Sequence, residues 1–129
     1  MLKKIIGLVL AVSVILASVN VEVKANSNSY TYGSYTCYGS CWISQYSAGG
    51  STTAVPKTTV EVSGTYYFIV HPGSANPITG SSYDIDVDSD GYAHIAFSVS
   101  GDRESYAIYC SHTITGSGSS IGTSEVYQH

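Results

Sequence analysis

The chain has 129 residues, with five Lys or Arg, nine Asp or Glu and three Cys. Removal of an export signal would leave two cations and eight acids, a surface that repels nucleic acid and anionic lipid. We therefore expect no nucleic-acid partner, and no membrane partner once the signal is cleaved. The length suits one domain with a modest core.

The first 25 residues have the pattern of a secretory signal peptide. Lys3 and Lys4 precede an uncharged apolar stretch, Ile5 to Val19, which is short for a membrane span. Small residues typical of a cleavage site end at Ala25. We predict a signal peptide over 1–25 and one secreted domain over 26–129. Cleavage after Ala17 or Ser18, or an uncleaved anchor, are the alternatives.

After residue 25, apolar and polar residues alternate over short runs, and no run has a helical period. This pattern predicts an all-β fold, a small antiparallel β-sandwich of about seven to eight strands. The predicted strands are 30–38, 41–46, 58–62, 65–70, 83–87, 92–99, 106–114 and 124–127.

Glycine-containing pairs mark the predicted turns. Gly39-Ser40 and Ser63-Gly64 are favourable two-residue hairpin loops, and Ala48 to Ser51 is predicted to break the strands. The segment 71–82 contains two Pro and two Gly, which predicts the longest loop.

The alternation also predicts which side chains face inward on the later strands. Tyr83, Ile85 and Val87 would form an apolar inner face, with Asp84 and Asp86 in solvent. On the next strand His94 would point outward.

The cysteines are expected in an oxidising compartment, where a disulfide is favourable. A hairpin at Gly39-Ser40 would place Cys37 and Cys41 on opposite faces, with Cys37 beside Trp42, the single Trp and the best core candidate. This favours a Cys37–Cys110 disulfide. The alternatives are that Cys41 takes the bond or that all three thiols stay reduced.

A run of alternating carboxylates precedes Gly91. Asp86, Asp88 and Asp90 match the start of a D-x-D-x-D-G calcium loop, because calcium prefers several oxygen ligands. An EF-hand would need an acid where Phe97 stands, so these three residues would instead bind calcium at a loop tip. The alternative is a type I turn closed by a Gly bulge.

No catalytic set is evident in the chain. Gly118 to Gly122 match the letters G-x-S-x-G, but a nucleophile elbow needs a following helix and later acid and His partners, and only Glu125 and His129 follow. We expect no enzyme activity and no cofactor other than calcium.

The 12 tyrosines are the strongest functional signal. Tyr32, Tyr35, Tyr38 and Tyr46 crowd near the predicted first hairpin, and exposed Tyr can stack on sugars or form a recognition surface. We predict a small secreted bacterial binding module with an extracellular glycan or protein partner. A secreted antagonist, such as a bacteriocin-like toxin or an enzyme inhibitor, is the alternative, and the oligomeric state is left open.

Overall fold

The computed structural model describes residues 22–127. The signal peptide predicted over 1–25 therefore lies mostly outside the described residues. Of its last positions, Lys24 and Ala25 already belong to the first strand, where they pair with Ile43 and Trp42.

The described chain is all β, as predicted, and forms eight strands. They are β1 (Lys24–Tyr32), β2 (Tyr35–Ile43), β3 (Ser47–Val55), β4 (Val60–Val70), β5 (Ile78–Asp88), β6 (Tyr92–Ser98), β7 (Arg103–Ile114) and β8 (Ser120–Val126). Within residues 22–127 there is no helix long and apolar enough to cross a membrane.

The strands form two antiparallel sheets that pack face to face. The first sheet has the order β1-β2-β3-β6, and the second has the order β5-β4-β7-β8. The connections β3–β4, β5–β6 and β6–β7 cross between the sheets, whereas β4–β5 and β7–β8 join neighbours. At the edges β1 contacts β8 and β5 contacts β6, so the two sheets lie close along both sides.

Side chains that alternate inward from both sheets build the core. Its largest apolar members are Ile43, Val60, Val62, Tyr66, Ile95, Ile108 and Ile114. The Tyr66 ring stacks on Phe97 at 5.4 Å between centroids, and its hydroxyl lies 2.7 Å from the Ser105 hydroxyl. Burial of these side chains supplies most of the free energy that favours folding.

Two predicted turns are wrong. β2 continues through Gly39-Ser40 and β4 continues through Ser63-Gly64. The first hairpin instead turns at Gly33, whose φ of 60° suits glycine. A Cβ on Gly39 would come within 2.2 Å of the His112 ring, so this glycine permits close approach of the sheets.

The predicted break over Ala48 to Ser51 is also wrong, because these residues lie inside β3. Gly49 lies under the Trp42 ring on the outside, and Gly50 lies under the Cys110 thiol on the inside. The predicted loop over 71–82 is shorter, since β5 begins at Ile78.

The faces of β5 are reversed with respect to the prediction. Tyr83, Ile85 and Val87 are exposed on the outer face, and the alternate aspartates lie on the side that faces the other sheet. The reason is that β5 is an edge strand beside β6, and Asp86 Oδ2 accepts a hydrogen bond of 3.0 Å from the His94 backbone N–H. This carboxylate therefore satisfies a backbone N–H on the edge of β6 that no neighbouring strand would pair with.

Candidate functional site

The outer surface of the first sheet is uncharged and rich in hydroxyl and aromatic groups. We call it the hydroxyl face, and it consists of the outward-facing positions of the four strands. These are Ala25, Ser27, Ser29, Thr31, Thr36, Tyr38, Ser40, Trp42, Ser47, Gly49, Ser51, Thr53, Val55, Tyr92, His94, Ala96 and Ser98. No Asp, Glu, Lys or Arg is among them.

The centre of the hydroxyl face is a shallow pocket of about 340 Å³ over β1, β2 and β3. Its floor contains the Ser40 and Ser51 hydroxyls, which lie 2.8 Å apart across the β2–β3 pair. Tyr38, half exposed, and Thr53 line one side. The pocket therefore offers several hydroxyl donors and acceptors beside an aromatic ring.

Trp42 lies on this outer face, which corrects the prediction that it is a core residue. It pairs with Gly49 across the strands, and its Nε1 lies 2.7 Å from the point that a Gly49 Cβ would occupy. The missing side chain lets the indole lie against the sheet. The sequence signal that could have found this position is the alternation along an uninterrupted strand over 35–43, which places Tyr38, Ser40 and Trp42 on one face.

A second aromatic group borders the hydroxyl face on β6. The rings of Tyr92 and His94 stack with centroids 5.7 Å apart. Burial raises the pKa of Tyr92, which therefore stays protonated and can donate a hydrogen bond. His94 is exposed, as the alternation predicted.

The structure does not bring the predicted tyrosine cluster together. Tyr38 is on the hydroxyl face, whereas Tyr32 and Tyr35 face each other at the β1–β2 hairpin. Tyr46 lies beyond the opposite end of β2, where its carbonyl accepts a hydrogen bond from Val99. Tyr92 was missed, because nothing local in the sequence shows that β6 joins β3.

The predicted calcium ligands are placed as turn and edge residues. Asp88 Oδ1 accepts a hydrogen bond from the Asp90 N–H at 2.6 Å, and Asp86 accepts from His94 as described. Gly91 has φ 82°, as the turn alternative predicted, but the turn joins the two sheets rather than two paired strands. Within residues 22–127 no three His, Cys, Asp or Glu side chains are grouped so that they could hold a metal ion.

The three cysteines are buried free thiols, so the predicted Cys37–Cys110 disulfide is absent. Because β2 is uninterrupted, Cys37 and Cys41 share its inner face rather than opposite faces. Cys110 lies over Gly50, which pairs with Cys41, so it is at the Cys41 end of β2.

A buried histidine lies directly beneath the hydroxyl face. His112 is fully buried, with Nδ1 2.8 Å from the Thr52 hydroxyl and Nε2 2.7 Å from the Thr123 hydroxyl. Thr52 donates its only proton to the Glu61 carbonyl at 3.0 Å, so Nδ1 must donate and Nε2 must accept. Desolvation lowers the pKa of His112 to about 4, which keeps the ring neutral near pH 7.

Comparison with known proteins adds no family to this description. The chain matched no protein-family model, and searches of curated proteins and of solved structures returned no match. The chemistry of the hydroxyl face is therefore the feature of the molecule that indicates a function.

Proposed function

We propose that this chain is an exported, non-catalytic binding module whose hydroxyl face holds a neutral extracellular glycan. One observation carries the proposal: the face combines Trp42, Tyr38 and Tyr92 with Ser and Thr hydroxyls and has no charged residue at its outward strand positions. Aromatic rings provide flat apolar contact area, and hydroxyls exchange hydrogen bonds with a polar ligand. Sugars need both kinds of contact.

The charge distribution favours a neutral glycan over an acidic one. The domain predicted over 26–129 contains eight Asp or Glu and two Lys or Arg. Its field repels polyanions at long range, and the uncharged hydroxyl face offers them no salt bridge. A neutral sugar is not repelled by this field and needs no salt bridge.

Export is part of this proposal. The Lys3-Lys4 pair and the apolar stretch after it support export, which would bring the domain to extracellular polysaccharides.

The chain contains its own reporter for the experiment. Trp42 is the only Trp, so a change in tryptophan emission during a titration reports on the hydroxyl face alone. We expect at least one neutral polysaccharide fragment to change that emission in a saturable way. Tyr38→Ala should then raise the dissociation constant roughly tenfold, because a central aromatic contact contributes about 1.4 kcal/mol.

Tyr109→Ala is the matched control. Tyr109 is half exposed on the outer face of the second sheet, where it packs edge-on against Tyr67. It should bind glycans like the unmodified protein. Equal weakening by Tyr38→Ala and Tyr109→Ala would place binding elsewhere, and a full neutral panel without any emission change would refute the proposal.

A further inference from the structure

Cys41 and Cys110 come from different sheets and meet at one point in the core. Cys41 pairs with Gly50 across β2 and β3, and Cys110 Sγ lies 2.6 Å from the point that a Gly50 Cβ would occupy. The Cys110 Cβ is 3.5 Å from the same point. The absence of a side chain on Gly50 therefore allows the Cys110 thiol to reach the backbone of the first sheet beside Cys41.

One hydroxyl connects the two thiols. Thr123 pairs with Cys110 across β7 and β8, and its side chain is hydrogen-bonded to both Cys110 and Cys41. Two sulfur atoms that share one small partner are near neighbours.

Cys37 does not belong to this group. It lies four residues from Cys41 along β2, roughly 13 Å at the rise of an extended strand. Its thiol is hydrogen-bonded to Tyr30, which also accepts the Ile114 N–H at 3.0 Å. Cys37 therefore lies opposite the end of β7, near Ile114, which is two residues beyond His112 on that strand.

We propose that Cys41 and Cys110 are a redox pair that forms a disulfide between the two sheets, and that Cys37 remains a free thiol. The oxidant is a small or protein disulfide. One thiol loses its proton and attacks that disulfide, which releases one oxidant thiol. The second cysteine then attacks the mixed disulfide, forms the bond between the sheets and releases the other oxidant thiol. This inference is independent of glycan binding.

The folded, reduced protein should form this bond slowly. Both thiols are buried, and desolvation raises the pKa of Cys110 to about 12, so the reactive thiolate is scarce near pH 7. The bond should therefore form while the chain folds. A disulfide that closes a loop of this length should then raise the melting temperature by at least about 10 °C.

The test is to refold the full chain with oxidised and reduced glutathione and to alkylate it under denaturing conditions. Mass spectrometry should show one modified cysteine rather than three. Chymotryptic digestion separates the two candidates on β2, because cleavage after Tyr38 divides Cys37 from Cys41. The peptide with Cys41 should be linked to the peptide with Cys110.

Cys37→Ser is the matched variant and should keep the bond and the raised melting temperature. Cys41→Ser should lose both. Mapping the disulfide in the unmodified chain does not depend on any variant being able to fold. Three free thiols after oxidative refolding would overturn the inference, and so would a disulfide that includes Cys37.

Discussion

Acidification should destabilise this protein through His112. The ring is fully buried and neutral, and its pKa falls from 6.5 to about 4. A base whose pKa is lower in the folded state binds its proton more readily in the unfolded chain, so stability is complete above pH 6.5 and is lost as pH falls toward 4. Linkage then gives a loss of about 2 kcal/mol between pH 7 and 5 and about 3 kcal/mol by pH 4.

The structure explains why protonation is unfavourable. Nε2 accepts the Thr123 hydroxyl, so a proton there removes that hydrogen bond and places a charge in the core. The groups that face the ring are the Thr52 and Thr123 hydroxyls and the backbone of Gly39 and Ser51. The hydrogen bond to the Ser51 backbone favours the protonated ring, but desolvation outweighs it and lowers the pKa, and none of these groups can carry a balancing negative charge.

Urea unfolding followed by circular dichroism at pH 7, 6 and 5 measures the effect above the range where most carboxylates titrate. His112→Gln should be less stable at pH 7 but should lose most of this pH dependence, whereas His94→Gln, at an exposed position, should keep it. A pH slope that is the same in the unmodified chain and in His112→Gln would refute the assignment to His112.

Two other substitutions test the packing beneath the hydroxyl face. Gly39→Ala should destabilise the fold by about 3 kcal/mol, because its Cβ would lie 2.2 Å from the His112 ring. Gly122→Ala is its control in the same urea assay, since the nearest atom there is at 3.6 Å, and equal losses would contradict the packing argument. Tyr66→Phe should cost about 1 kcal/mol, because it removes the 2.7 Å hydrogen bond to Ser105. Thermal unfolding measures that loss, and an unchanged melting temperature would show that the hydroxyl contact is unimportant.

The sequence predicts the class of this fold because the period of two survives along most of the chain. It misplaces the boundaries of the early strands because the local sequence does not distinguish a glycine in a turn from a glycine inside a strand that leaves space for a side chain of another strand. Gly39 and Gly64 are inside strands, and the side chains that need their space come from β6 and β7, far along the chain. That information is tertiary, and no local pattern contains it.

The candidate site was only partly predictable for the same reason. Tyr38 was predicted as a binding residue, but the predicted hairpin placed Trp42 in the core. The outward side of a strand also cannot be chosen from hydrophobicity when the strand is at an edge. On β5 the apolar residues face solvent, because Asp86 is needed beside the free edge of β6.

β2 shows how the two proposals can hold at once in such a small domain. Its inner positions, Cys41 among them, contact the other sheet, and its outer positions, such as Tyr38 and Trp42, form the hydroxyl face. Because successive side chains point to opposite faces, the outer side chains can change without repacking the core. The exception is glycine: Gly49 serves the outer face by making room for Trp42, and Gly50, the next residue, serves the inner face by making room for Cys110. The Gly-Gly pair, which the sequence suggests is an interruption between strands, therefore connects the candidate binding site and the candidate redox pair through adjacent backbone. A Cβ on Gly49 would displace the Trp42 ring, and a Cβ on Gly50 would displace the Cys110 thiol.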